Sequence, residues 1–167
     1  MQRDQKDYEI IKQEAESGNP HAMLQLSKLF RLGVFQDESD EEYIYWLKEF
    51  FKNEIVDAFL TVLDADDDID FDEHFYKSQE IVNAIGFEAE AVLQKDIIEA
   101  GLSLGLFLMY STNKEELFCA RESLDNALIA SRFDYIEVPG AEGITDVNSI
   151  RITIDKRIKA FGYEEEL

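Results

Sequence analysis

Apolar positions recur along this chain at steps of three and four, the period of an amphipathic helix. Tyr8, Ile11 and Ala15 open one stripe, and Ala22, Leu26, Leu29, Phe30 and Gly33 form the next. Tyr43, Trp46, Leu47 and Phe50 carry a third, which Ile55, Ala58, Phe59, Val62 and Leu63 continue. Phe75, Gln79, Val82 and Ile85 trace a further helix that Gly86 stops. From Phe87 to Tyr110 the pattern is helical throughout, with Leu93, Ile97, Ala100, Leu104 and Leu108 on one face. Leu117, Ala120, Leu124, Ala127 and Leu128 repeat at the same spacing, and Val147, Ile150, Ile154, Ile158 and Phe161 make a final amphipathic helix. The segment FDYIEVPGAEG, residues 133–143, departs from the pattern, and its Pro139, Gly140 and Gly143 predict an extended loop or a single strand.

The punctuation agrees with these stripes. Asn19 can cap a helix that opens with Pro20, whose fixed φ suits the first helical position. Gly33 is placed to end that helix in a left-handed cap. Ser39 with Glu42, Asp70 with Glu73, and Thr112 with Glu115 each have the spacing of a capping box. Gly101 and Gly105 lie one turn apart within a helical stretch, which predicts close approach of a neighbouring helix rather than a break.

Residues 15–50 therefore read as one helical hairpin, and its signature positions resemble a Sel1-like repeat, a relative of the tetratricopeptide repeat. The matching residues are Ala15, Gly18, Ala22, Leu26, Phe30 (where the family usually has Tyr), Gly33, Asp37 and Trp46. Phe35 or Gln36 stands where the family has a second glycine, and Glu42 stands where it has an alanine. The resemblance covers about a fifth of the chain. It implies a repeat of a kind that binds other proteins and rarely carries out chemistry itself. Residues 100–130 look like a second, degenerate hairpin, as expected where neighbouring hairpins stack on a shared core. The predicted fold is all-α: antiparallel helical hairpins stacked as a short Sel1- or tetratricopeptide-like α-solenoid, or a compact helical bundle.

A length of 167 residues, 46% hydrophobic and 12% aromatic, suits one domain with a sizeable core over 1–167. Two prolines and eight glycines favour long helices over a turn-rich β fold. The longest apolar run, Gly101 to Tyr110, is about half of a membrane span. The charged start MQRDQKDYEI lacks a signal-peptide core, which points to a cytoplasmic protein. The single cysteine, Cys119, excludes an internal disulfide framework and falls among helical packing positions.

Charge changes the picture most. Thirty-seven acids against 16 bases give a net charge of −21, far beyond what solubility requires. Direct binding of nucleic acid or an anionic membrane is thereby disfavoured, because phosphate contacts need cations. A basic protein partner is the natural counterpart. The acids cluster at Asp37, Glu38, Asp40, Glu41 and Glu42, and again at Asp64, Asp66, Asp67, Asp68, Asp70, Asp72 and Glu73. Acids near a helix amino terminus complement its dipole, yet these clusters exceed what a cap can use. Arg151, Lys156, Arg157 and Lys159 concentrate positive charge on the last helix, which is expected to dock on the acidic body as a capping helix.

The run DADDDIDFDEHF, residues 64–75, has the alternating oxygens of a calcium loop. It lacks the glycine at the sixth place and the glutamate at the twelfth, so no metal and no cofactor is expected. No phosphate-binding glycine loop, nucleophile elbow or paired-histidine motif occurs, and no catalytic residue is assigned. Tyr43 and Trp46 cannot share a helix face fully with Tyr45, which marks an exposed aromatic beside the first acidic turn.

The expected function is a non-enzymatic protein-binding module. Its sharpest form is an acidic inhibitor, an immunity protein that neutralises a basic, nuclease-type toxin domain in the cytoplasm. The alternatives are a Sel1-like adaptor for cytoplasmic complexes and a DNA mimic that occupies a DNA-binding protein. The partner-binding residues would be Asp37, Glu38, Asp40, Glu41, Tyr45, Asp64, Asp66, Asp67, Asp68, Asp70 and Asp72, which steer the partner before an aromatic anchor is buried.

Overall fold

The structure, a computed structural model, describes residues 2–34, 37–65, 73–131 and 147–163. Among these the regular elements are all α-helices: α1 (Gln2–Glu16), α2 (Pro20–Leu32), α3 (Asp40–Lys52), α4 (Glu54–Asp64), α5 (Glu73–Ile85), α6 (Phe87–Leu108), α7 (Lys114–Ser131) and α8 (Val147–Ala160). The fold is all-α. The chain forms two compact units, Met1–Asp96 and Ile97–Leu167, with the boundary inside α6.

In the first unit, α2 and α3 form an antiparallel hairpin pinned at both ends. At one end the Asn19 side chain accepts from the Ala22 amide at 3.1 Å, and Pro20 follows as the first helical residue. At the other, Gly33 takes φ 65°, a left-handed conformation that only glycine adopts without cost, and its N–H returns to the Leu29 carbonyl. Ser39 then caps α3, accepting from the Glu42 amide at 3.1 Å. The apolar stripes of the pair bury Ala22, Leu26, Leu47 and Phe50 almost completely. Each large side chain contributes about 1.5–3 kcal/mol by leaving water. Helix α1 packs on α2 through Tyr8 and Ala15, and α4 packs on α5.

Two local expectations are corrected here. The stripe from Tyr43 to Leu63 is not one helix: it breaks at Asn53, which lies between α3 and α4 with φ −62° and ψ 135°. The Asn53 carboxamide oxygen accepts from the Ile55 amide at 2.9 Å and the Val56 amide at 3.4 Å, so the residue caps the new helix as the old one ends. On α5 the buried face is Phe75, Ser78 and Val82, while Gln79 is exposed. Gly86 stops α5 with φ 88°, as its position predicts.

In the second unit, the carboxyl-terminal half of α6 lies against α7 at Gly101 and Gly105. A Cβ on Gly101 would collide with the Ser123 carbonyl oxygen, and one on Gly105 would come within 2.6 Å of the Leu124 side chain. These glycines permit the close approach that their spacing predicts. Leu117, Ala120 and Leu124 are fully buried on α7, and α8 packs on α7 through Ile150, Ile154 and Ile158. The cap of α7 is Asn113, not Thr112: its side chain accepts from the Glu116 amide at 3.1 Å. Asn113 supplies the same type of acceptor one residue closer to the helix. The Asp70 cap and the loop or strand predicted at 133–143 lie outside the described residues.

Candidate functional site

The tip of the α2–α3 hairpin gathers the first acidic cluster. Asp37 and Glu38 lie in the turn, and Asp40, Glu41 and Glu42 fill the first turn of α3, where the helix dipole favours them. All five are exposed. Arg31, at the end of α2, reaches Glu38 at 3.4 Å and Asp40 at 3.2 Å, and its guanidinium lies 5.6 Å from the centre of the Tyr43 ring. These are surface ion pairs of small energetic value, and one guanidinium against five carboxylates leaves the tip strongly negative.

Apolar groups accompany this charge. Leu32 is 72% exposed, Val34 54% and Tyr45 50%. Tyr45 lies on the outer side of α3, edge-on to Trp46 with ring centres 5.1 Å apart. Trp46 and Tyr43 are buried. Of these three aromatics near the tip, Tyr45 is the exposed one.

The predicted site residues divide accordingly. Asp37, Glu38, Asp40, Glu41 and Tyr45 belong to one hairpin. Asp64 is exposed and ends α4, at the negative end of the helix dipole. Asp66, Asp67, Asp68, Asp70 and Asp72 lie outside the described residues.

A second feature of the first unit has little trace in the sequence. A groove of about 830 Å³ runs between the carboxyl end of α1, the turn into α2, Ile55 of α4, Ile85 of α5 and the start of α6. Its lining is more apolar than polar, and at its edge His21 Nδ1 lies 2.7 Å from Asp96 Oδ2. The Asp96 side chain is 6% exposed and that of His21 50%. The two residues are 75 positions apart, so spacing could not pair them. The one available signal was an acid at position 96, three residues after Leu93 and beside Ile97 on a buried stripe.

The basic helix α8 spends part of its charge inside the second unit. Arg151 pairs with Asp125 and approaches Asp155 at 3.6 Å, and Arg121 lies 3.9 Å from the same Asp155. Burial pushes the Asp125 carboxyl above its ordinary range, outweighing the attraction of Arg151 and Arg121. Arg157 donates to the Tyr110 carbonyl at 2.8 Å and the Ser111 carbonyl at 3.2 Å, just beyond the end of α6. Cys119 is half-buried on α7.

Among the described residues, no group of three or more His, Cys, Asp or Glu is placed to hold a metal ion, and no helix is long and apolar enough to cross a membrane. Comparison of the chain with protein-family models, curated proteins and solved structures finds no significant match.

Proposed function

We propose that this chain is a non-enzymatic protein-binding module whose α2–α3 hairpin tip receives a basic surface of another protein. In its most specific form it is an acidic inhibitor, an immunity protein that neutralises a cationic, nuclease-type toxin domain in the cytoplasm. One observation carries the reading: five exposed carboxylates at the tip stand on the same hairpin as exposed Leu32, Val34 and Tyr45. Carboxylates raise the rate of encounter with a cationic surface, and an aromatic that becomes desolvated slows dissociation. The net charge of −21 acts in the same direction at longer range. The hairpin's resemblance to a Sel1-like repeat supports a binding role.

The test is capture of partners on the immobilised protein at low salt, with elution by rising salt and identification by mass spectrometry. A single basic protein released only at high salt, and no longer retained by a Tyr45→Ala, Glu41→Gln variant, is the expected result. A broad set of partners with mixed charge would replace the inhibitor with a Sel1-like adaptor. Retention unaffected by the variant would remove the hairpin tip from the interface.

A further inference from the structure

We infer that the groove bounded by α1, α2 and α6 is a second binding site, which receives an amphipathic peptide segment bearing Lys or Arg beside apolar side chains. Its apolar part includes Ile55, Val92 and Leu93, and Val92 is 45% exposed. Its polar part includes Gln13, Ser17 and Asn19, and its acidic groups are Glu14, Glu88 and Asp96. Glu14 and Glu88 line it with exposed carboxylates, and no Lys or Arg occurs among the described residues that line it. The His21 ring stands at the groove edge with Nδ1 2.7 Å from the Asp96 carboxylate. Asp96 is buried, so it fixes the ring while His21 remains accessible at the groove edge.

The volume lies within the range of small-molecule sites, but such sites enclose most of their ligand. This groove is open to solvent and suits a longer occupant laid along it, as when an amphipathic helix places its apolar face between helices. Charge complementarity fixes the sign of that occupant: donors and cations at the edge, apolar side chains on the floor. The site is separate from the hairpin tip and does not depend on the reading given for it.

The experiment is an amide NMR titration of the whole chain with a short synthetic helical peptide of Leu and Arg. Two controls accompany it, one with Leu replaced by Ser at constant charge and one with Arg replaced by Glu. Shifts concentrated at His21, Ile55, Ala89 and Val92, with affinity at least about tenfold weaker for both controls, are expected for this mode. Ala89→Trp, at an exposed lining position, fills the groove without altering charge and should weaken binding to a similar degree. Val92→Asn provides a second variant should the first fail to fold. Equal affinity for the Ser-containing control, an unchanged affinity in folded variants, shifts centred on Asp37–Glu42, or no binding would each overturn the inference. The Tyr45→Ala, Glu41→Gln variant should bind the peptide normally, which keeps this result independent of the hairpin tip.

Discussion

The side-chain amide of Asn53 donates to the carbonyl oxygen of Gly18 at 2.7 Å, tying the end of α3 to the turn that opens α2. The same side chain caps α4 with its oxygen. One residue thus closes the base of the hairpin and starts the next helix, while Arg31 and Asp40 meet at its tip. Asn53→Ala removes both functions and should cost about 1.5–3 kcal/mol in urea unfolding, from a cap and one tertiary hydrogen bond. Asn53→Asp keeps the capping oxygen and loses the donor, so about 0.5–1.5 kcal/mol is expected. Equal losses for the two variants would show that the cap on α4 contributes nothing, and no loss in Asn53→Asp would show the same of the bond to Gly18.

This residue also shows where sequence reading stops. Asn19, Pro20, Gly33 and Ser39 announce their helix ends because each acts on its own neighbours, and all four act where the pattern places them. Asn53 falls inside an apolar stripe that runs at helical spacing on both sides, so periodicity conceals the break. The glycine contacts at 101 and 105 were legible because small residues one turn apart have one common use. That Tyr43, Tyr45 and Trp46 could not all be buried on one face followed from their angles, and the structure shows Tyr45 to be the exposed one. The groove did not follow, since it is bounded by four helices and the turn into α2, and its polar pair joins residues at positions 21 and 96. Local chemistry is written locally, whereas a concave surface depends on how the helices pack.

Gly101 and Gly105 should respond unequally to alanine. Each substitution gains about 1 kcal/mol of helix propensity. At Gly101 the new methyl meets the Ser123 carbonyl oxygen and Ala127, and helix backbone cannot yield without separating α6 from α7. A net loss of about 2 kcal/mol or more is expected there. At Gly105 it meets Cγ and Cδ2 of Leu124, a fully buried side chain rather than backbone, and a smaller net loss of about 1–2 kcal/mol is expected. Denaturant midpoints of the two variants decide the order.

Tyr45 and Trp46 are adjacent in sequence but should separate cleanly in stability and binding. Trp46→Ala empties a core position and should cost about 3–5 kcal/mol. Tyr45→Ala removes a half-exposed ring with one edge contact and should cost about 1 kcal/mol or less. Only the second variant can then be used to measure partner dissociation. A Tyr45→Ala loss as large as that of Trp46→Ala would place Tyr45 in the core's energetics and weaken its role as an anchor.

Asp125 gives a pH dependence of defined sign. Its carboxyl titrates above the ordinary 3.8 in the folded chain because burial outweighs the neighbouring guanidiniums. Between the unfolded and folded values the native state binds more protons, so the Asp125 contribution is fully present below about pH 3.8 and is lost as pH rises through the folded value. Relief of general repulsion between acids acts in the same direction, so total stability alone cannot isolate this group. The difference in unfolding free energy between the natural chain and Asp125→Asn can: it should shift against the natural chain as pH rises from 3.8 through the folded value. A flat difference would mean that Arg151 and Arg121 fully offset the burial.

The His21–Asp96 pair couples a groove edge to a buried acid, and the direction of that coupling can be measured. His21→Ala takes a donor away from a carboxylate that is 6% exposed, at a cost of about 1–3 kcal/mol. Because His21 itself is half-exposed, the attraction is partly screened and the lower part of that range is expected. Asp96→Asn retains an oxygen that can accept from Nδ1 and should lose less. In the double variant His21→Ala, Asp96→Asn the neutral amide no longer needs the missing donor as strongly, so the two effects should not add. A double-mutant cycle should give a coupling of about 0.5 kcal/mol or more. Strict additivity would mean that the 2.7 Å contact does not contribute to stability and leaves the ring orientation at the groove unfixed.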